Sequence, residues 1–95
     1  MIDYVQALNL VTARIAEFDA PEHDAWVVLE EHTIERPFGW VFFWGSDMFE
    51  KTGDFSYAVG GNAPYIVNRQ TAALVETGTA LPTEVYIQRY EASLK

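Results

Sequence analysis

The stretch "RPFGWVFFWGS", Arg36 to Ser46, predicts the centre of a sheet because it contains a strand that is apolar on both of its faces. Successive side chains of a strand point to opposite faces of its sheet. One face would carry the even positions and the other the odd positions, namely Trp40, Phe42 and Trp44 against Val41 and Phe43. A strand of this kind lies in the centre of a sheet that is covered on both sides.

The residues before this strand predict its hairpin partner. Trp26 to Glu35 is rich in β-branched and apolar residues, which favours a strand. The break at Arg36-Pro37-Phe38-Gly39 then predicts a turn that leads into the strand Trp40 to Gly45. We expect these two strands to pair antiparallel.

Helical and strand patterns define the remaining elements. Asp3 followed by Gln6 has the spacing of a capping box, and apolar residues then recur at helical intervals. Pro82 and Glu84 are typical of a helix start near the other end of the chain. The predicted elements are a helix over 4–17, a helical turn near 47–51, strands over 65–69 and 73–77, and a helix over 82–93.

This order predicts one α+β domain over residues 1–95, with two layers. Its four-stranded antiparallel sheet would have an N-terminal and a C-terminal helix packed on one face. The second face of the aromatic strand would then be covered by the long segment 46–63, by a second copy of the chain, or by a different partner. Within that long segment, the run Gly60-Gly61-Asn62-Ala63-Pro64 is interpreted as a device of backbone geometry and not as a phosphate loop.

Charge and composition narrow the classes of partner. The formal net charge is -8, and residues 1–35 hold eight acids against the single base Arg14. Such a field repels phosphate backbones and anionic membranes, so we expect neither nucleic acid nor a membrane as a ligand. The chain has no cysteine, which excludes disulfides and thiolate metal sites. This fits a cytoplasmic protein, as does an N-terminus with an acid at position 3 and no basic leader.

Catalytic signals are weak. His23 and His32 lie among acids but fit no metal-ligand spacing, and no serine stands in a nucleophile elbow. We therefore predict no enzyme activity, no metal and no cofactor. Glu30 and Glu31 are adjacent in a predicted strand, so either both are solvated where the strand leaves the core or one awaits a cation on a partner.

Several motifs, in their order along the chain, resemble the YrhB-like family, also called the immunity protein 35 family, of bacterial polymorphic-toxin systems. They are "IERPFGWVFFW", "GGNAPYIVNRQT" and "GTALPTEVYIQRYE", and the resemblance covers about residues 2–92. The family commonly has glycine after the threonine of the second hairpin, where this chain has Ala72. The resemblance implies a small antitoxin without catalysis that binds a cognate toxin domain.

The contact surface is predicted from charge, because the resemblance marks scaffold residues. We expect a basic surface of the toxin to bind the acidic first third of the chain, with two anchors at the end of the sheet. The predicted contact residues are Glu22, Asp24, Glu30, Glu31, Glu35, Trp44 and Asp47.

Two alternatives remain open from the sequence. A general protein-binding or chaperone-like domain would use the aromatic sheet face, and its binding would depend little on salt. An obligate homodimer would join through the face of Trp40, Phe42 and Trp44.

Overall fold

The computed structural model describes residues 1–58 and 62–95. The interpretation of Gly60 and Gly61 as geometric residues therefore lies outside the described residues. The helices are α1 (Tyr4–Ile15), α2 (Asp47–Thr52) and α3 (Thr83–Ser93). The strands are β1 (Trp26–Val28), β2 (Ile34–Arg36), β3 (Gly39–Phe42), β4 (Trp44–Ser46), β5 (Tyr65–Asn68) and β6 (Leu74–Glu76). Short 3-10 turns span Glu30–His32 and Phe55–Tyr57.

Helix α1 begins with the predicted capping box. The Asp3 carboxylate accepts a hydrogen bond from the Gln6 backbone N–H at 2.8 Å, and the Gln6 side chain accepts one from the Asp3 N–H at 3.0 Å. Both interactions satisfy amide groups that the first turn of a helix leaves unpaired. The helix then buries one stripe, Ala7, Val11 and Ile15. These residues are four positions apart, which is about one helical turn, so they lie on one face of the helix. This face packs onto the sheet.

The main sheet has four antiparallel strands in the order β2-β3-β5-β6. Strands β3 and β5 form its centre and are buried along their whole length. One face packs beneath α1, and Trp40, Phe42, Tyr65 and Val67 form a single core cluster with the helix. The predicted α+β class, four-stranded sheet and terminal helices are confirmed.

The opposite face of this sheet is covered by α3. Val41 and Ile66 pack with Ile87 of the helix, and the Tyr90 ring meets Phe38 edge-on at 5.1 Å between ring centroids. The two terminal helices therefore lie on opposite faces, and the layers run helix, sheet, helix. The expected arrangement with both helices on one face was wrong, because apolar spacing does not tell a helix which face to cover.

The aromatic strand is thus covered within the monomer. Phe42 is 0% exposed and Trp40 is 5% exposed beneath α1. The face that we considered for a homodimer or for chaperone-like binding is therefore occupied by the chain's own helix.

The predicted strand over Trp26 to Glu35 is divided into β1 and β2. Val28 lies opposite Trp44, whereas Ile34 lies opposite Val41. Five residues, 29–33, lie between these pairs on one strand and two, 42–43, on the other, so the first strand holds three residues in excess. The excess matches the 3-10 turn Glu30–His32, which makes this turn an enlarged β-bulge.

An odd excess changes which positions face α1. In β1 the even positions Trp26 and Val28 pack into the α1 cluster, whereas in β2 the odd position Glu35 lies opposite Trp40. At the bulge the hairpin also separates into two sheets, since β1 and β4 form a small two-stranded sheet of their own. The predicted strand Trp40 to Gly45 correspondingly ends at Phe42 and resumes at Trp44.

Glycine is required at one turn and is absent from another. Gly39 has φ 148°, and a Cβ there would lie 1.9 Å from the Val67 carbonyl oxygen. Ala72, in the β5–β6 turn, has φ 62°, the left-handed region that glycine adopts most easily. Its turn is held by the Asn68 side chain, which accepts hydrogen bonds from the Gln70 and Thr71 amides at 2.9 and 3.1 Å.

Candidate partner-binding surface

The two-stranded sheet is built around Trp44. Its ring stacks on Phe18 at 5.6 Å and meets Trp26 edge-on at 5.4 Å. Its indole N–H donates to the Ala63 carbonyl at 2.9 Å. Trp44 is half-buried in this cluster, so most of its contacts support the fold of the β1–β4 unit.

Asp24, two residues before β1, links the start of this strand to helix α2. Its carboxylate accepts hydrogen bonds from the Ser46 hydroxyl, from the Met48 N–H at 3.0 Å and from the Ala25 N–H at 2.7 Å. The Ser46 hydrogen bond, with the two amides, lowers the pKa of Asp24 against the opposing effect of burial. The charge of Asp24 is therefore used inside the molecule, to hold α2 against the small sheet.

Helix α2 begins at a conventional cap. Ser46 accepts a hydrogen bond from the Phe49 N–H at 3.0 Å, and Asp47 in the first turn pairs with Lys51 at 2.8 Å. The helix ends at Gly53, whose left-handed φ of 69° is typical of a C-terminal glycine. The predicted helical turn near 47–51 is confirmed.

A pocket of about 290 Å³ lies between α2 and the small sheet. Its described lining consists of Leu29, Trp44, Gly45, Ser46, Phe49, Glu50, Ala58 and Asn62. Asn62 donates from its amide to the Trp44 carbonyl at 2.7 Å, which pairs the outer edge of β4. The pocket is mostly apolar, with Glu50 as its charged member.

The bulge Glu30–His32 projects both of its acids into solvent. Glu30 and Glu31 are exposed, so the first of the two arrangements expected for them holds, although by a bulge and not by a strand that leaves the core. The Tyr4 hydroxyl donates to Glu30 at 2.9 Å. Burial and this hydrogen bond raise the pKa of Tyr4.

The other predicted contact residues differ in their surroundings. Glu22 is exposed in the loop before β1 and lies 3.5 Å from its neighbour His23. Glu35 accepts a hydrogen bond from Arg69 at 3.1 Å. The guanidinium of Arg69 in turn lies over the Trp40 ring, 4.7 Å from its centroid. Glu35 is therefore part of a packed ion pair on the sheet.

Six of the seven predicted contact residues lie in or next to β1, β4 and α2, but they do not form one cluster, and Glu35 lies on β2 of the main sheet. Glu22 and Asp24 precede β1, whereas Glu30 and Glu31 follow it, so the two pairs lie at opposite ends of this strand. Trp44 and Asp47 lie on β4 and α2, alongside β1. Six residues lie in or around the β1–β4 unit, and we call them the acidic flank: Glu22, Asp24, Glu30, Glu31, Trp44 and Asp47.

Most of the lysine and arginine side chains in the described residues form ion pairs with acids of the same chain. Ion pairs join Arg14 to Glu17, Arg36 to Glu84, Lys51 to Asp47 and Arg69 to Glu35. In the ranges 1–58 and 62–95 these pairs leave an excess of acids, and Glu30 and Glu31 at the bulge belong to that excess.

Sequence reasoning missed the pocket and its neighbours. Leu29 was read as part of a continuous strand, and Phe49 and Phe55 lay in a segment without a clear period. Phe55 is 83% exposed, and its ring lies 5.9 Å from that of Phe49. Two phenylalanines within a glycine-containing excursion were the signal that could have identified this surface.

The described residues offer neither a metal site nor a membrane span. Among residues 1–58 and 62–95 there is no group of three or more histidine or acidic side chains placed to hold a metal ion. In the same residues no helix has the length and apolar character needed to cross a membrane.

Comparisons with known proteins agree with the resemblance read from the motifs. The model of the family named immunity protein 35 (Imm35) matches residues 6–93. The uncharacterized protein YrhB of Escherichia coli (strain K12) is 40% identical over 53 residues, which is 56% of this chain and 56% of that protein. The matched part thus spans about half the length of this relative. No solved structure matches the chain.

Proposed function

Because the chain belongs to the immunity protein 35 family, which supports an immunity role in general, we propose that it neutralises a cognate toxin domain by binding it. The complex acts by occlusion: the bound immunity protein covers the toxin's active site or substrate path, and no bond is made or broken. We place this encounter in the cytoplasm, in keeping with a chain that has no cysteine.

The observation that carries the proposal is the acidic bulge. Glu30 and Glu31 belong to the three excess residues of the first strand, lie outside both sets of cross-strand pairs, and are exposed. Exposed acids of this kind contribute little to folding, since surface charges in general contribute less than about 1 kcal/mol. Their placement is explained by a partner with a basic surface.

Electrostatics then defines how the pair would associate. The net charge of -8 attracts a basic domain over several ångströms and raises its association rate. Toxins that act on nucleic acid carry basic clefts, because they must bind phosphates. An acidic surface that enters such a cleft competes directly with the substrate.

The chaperone-like alternative has less support. It relied on the aromatic face of the sheet, which α1 covers with Ala7, Val11 and Ile15. The homodimer alternative relied on the same face.

The experiment measures binding and protection together. The cognate toxin domain, to be sought among the neighbouring genes, is purified as a catalytically inactive variant. Its association with the immunity protein is followed by biolayer interferometry at several salt concentrations. The pair Glu30→Lys with Glu31→Lys should slow association by about tenfold and reduce its salt dependence. Growth of cells that co-express active toxin should fall accordingly.

The matched control is Glu76→Lys, a charge reversal on the edge strand β6, at the opposite edge of the main sheet from β2. This variant should bind as the unchanged protein does. Equal association rates for the double reversal and the unchanged chain would remove the bulge from the interface, and failure of the unchanged chain to bind or protect would overturn the immunity mechanism itself.

A further inference from the structure

Next to the acidic flank lies an apolar surface, formed by the turn after α2 and the pocket beside this helix. The 3-10 turn Phe55–Tyr57 follows α2 and presents Phe55 to solvent, with 83% of its surface exposed. Asp54 caps this turn by accepting a hydrogen bond from the Ser56 N–H at 2.9 Å. The cap orders the backbone that carries Phe55 before a partner binds, which reduces the entropy cost of using this side chain as an interface anchor.

The pocket behind Phe55 has the chemistry of a side-chain receptor. Phe49, which the Phe55 ring contacts, forms one wall of it, and Leu29 and Trp44 form others. Its volume of about 290 Å³ is at the lower limit of clefts that hold small molecules, about 300 to 1,000 Å³. It is therefore of a size for an inserted side chain of a partner.

The charges around the pocket select its occupant. Glu50 lines the pocket and is exposed, while the adjacent Lys51 is held by Asp47 at 2.8 Å. Leu29, which also lines the pocket, is followed directly by the acidic bulge at Glu30. An apolar cavity between acidic groups fits an apolar side chain that is flanked by lysine or arginine.

We propose that this pocket, with Phe55 at its side, receives an apolar side chain of the toxin domain, and that a neighbouring cation of the toxin pairs with Glu50. The inference rests on the proposed immunity function and adds an anchor beside the acidic flank, where Trp44 and Asp47 are engaged with Ala63 and Lys51 of the same chain. The bulge steers the partner, whereas the pocket retains it. Removal of the Phe55 side chain should therefore raise the dissociation rate of the complex more than it changes the association rate.

The test uses the full-length protein and the same inactive toxin domain. Phe55→Ala should weaken binding by about tenfold or more, mostly through faster dissociation, since truncation of a central aromatic anchor commonly has this size of effect. Glu50→Lys should weaken binding by a similar factor at low salt. Both side chains are exposed, so neither variant should alter the unfolding midpoint by more than a surface substitution does.

Matched controls test whether the effect belongs to this surface. Leu94→Ala removes an apolar side chain that is 50% exposed at the end of α3, and Glu76→Lys reverses a charge on β6. Both should bind as the unchanged chain does. In amide NMR spectra of the labelled immunity protein, addition of the toxin domain should shift Gly45 and Phe49.

The outcomes separate the two proposals. If the unchanged chain binds and protects while Phe55→Ala and Glu50→Lys dissociate at the unchanged rate, the pocket is not the anchor but the immunity function stands. If the amides that shift lie at α3 and the β2–β3 turn instead, the inference is also overturned. If the unchanged chain neither binds nor protects, the proposed function fails and this inference fails with it.

Discussion

The four-stranded sheet and the two-stranded sheet of this protein are stabilised in different ways. The large sheet is covered by α1 and α3 on its two faces, and its central strands β3 and β5 are fully buried. In the small sheet all of β1 and Trp44 are half-buried while Gly45 and Ser46 are buried, and the sheet depends on particular hydrogen bonds made by Asp24, Ser46 and Asn62. Apolar burial thus defines the scaffold, whereas directed polar contacts position the surface that we assign to the partner.

The largest difference between the regions should come from aromatic truncation. Phe42→Ala removes a fully buried ring from the α1 cluster and should reduce the free energy of unfolding by about 3 to 5 kcal/mol. Trp44→Ala removes a ring that is half-buried and should cost less. Chemical denaturation of both variants measures this. A larger loss for Trp44→Ala would show that the small sheet is the main source of stability.

The second effect concerns the cap of α2. Ser46→Ala removes the hydroxyl that accepts from Phe49 and donates to Asp24, and it should cost about 1 to 2 kcal/mol. Hydrogen exchange should accelerate at Phe49 while the amides of β5 stay protected. Uniform acceleration across the protein would contradict the view that the two regions are separable.

Asp24 makes the stability of the contact between β1 and α2 depend on pH. Its folded-state pKa is below its ordinary value, so its stabilising contribution is fully present above the unfolded-state pKa of about 3.9 and is lost as the pH falls through the lower folded-state pKa. Asp24→Asn should therefore destabilise the protein at pH 7 and make little difference at strongly acid pH. Thermal unfolding across this range measures the effect, and an equal loss at both ends would contradict it.

Deletion of Glu30–His32 tests whether the bulge is separable from the fold. Since these residues are the three in excess, their removal leaves Val28 opposite Trp44 and Ile34 opposite Val41. The variant should fold with a loss of about 1 kcal/mol, the usual contribution of one hydrogen bond such as that from Tyr4 to Glu30. Cross-strand NOEs report both pairings. Loss of either pairing would show that the bulge is needed for the register.

The smallest expected effect is a gain in stability. Ala72 adopts φ 62°, where a Cβ costs about 1 kcal/mol or more, whereas glycine adopts this region freely but loses more entropy on folding. Ala72→Gly should therefore stabilise the protein by about 0.5 kcal/mol, measured by thermal unfolding. Ala73→Gly, one residue along and outside the left-handed region, is the control and should not stabilise. An equal gain from both variants would remove strain as the cause.

The candidate site could be predicted from the sequence only in its charge. The acid excess in the first third and the contribution of Glu30 and Glu31 follow from composition. The hydrogen bonds that hold Asp24 and Trp44 inside the fold could not be predicted in this way, because their partners Met48 and Ala63 are distant in the chain. The pocket was missed for the same reason, since its walls come from separate segments that meet only after folding.

The local elements could be predicted from the amino-acid sequence: the capping box of α1, the two apolar faces of the strand through Trp40, and the final helix that contains Ile87. These depend on side-chain periodicity and cap chemistry, which act over a few residues. Tertiary structure alone decided that α1 and α3 cover opposite faces and that the first strand is interrupted at Glu30–His32. A run of β-branched residues reads as a strand with or without a bulge, and the bulge arises from the pairing of β1 with β4 and of β2 with β3 in registers that differ by three residues.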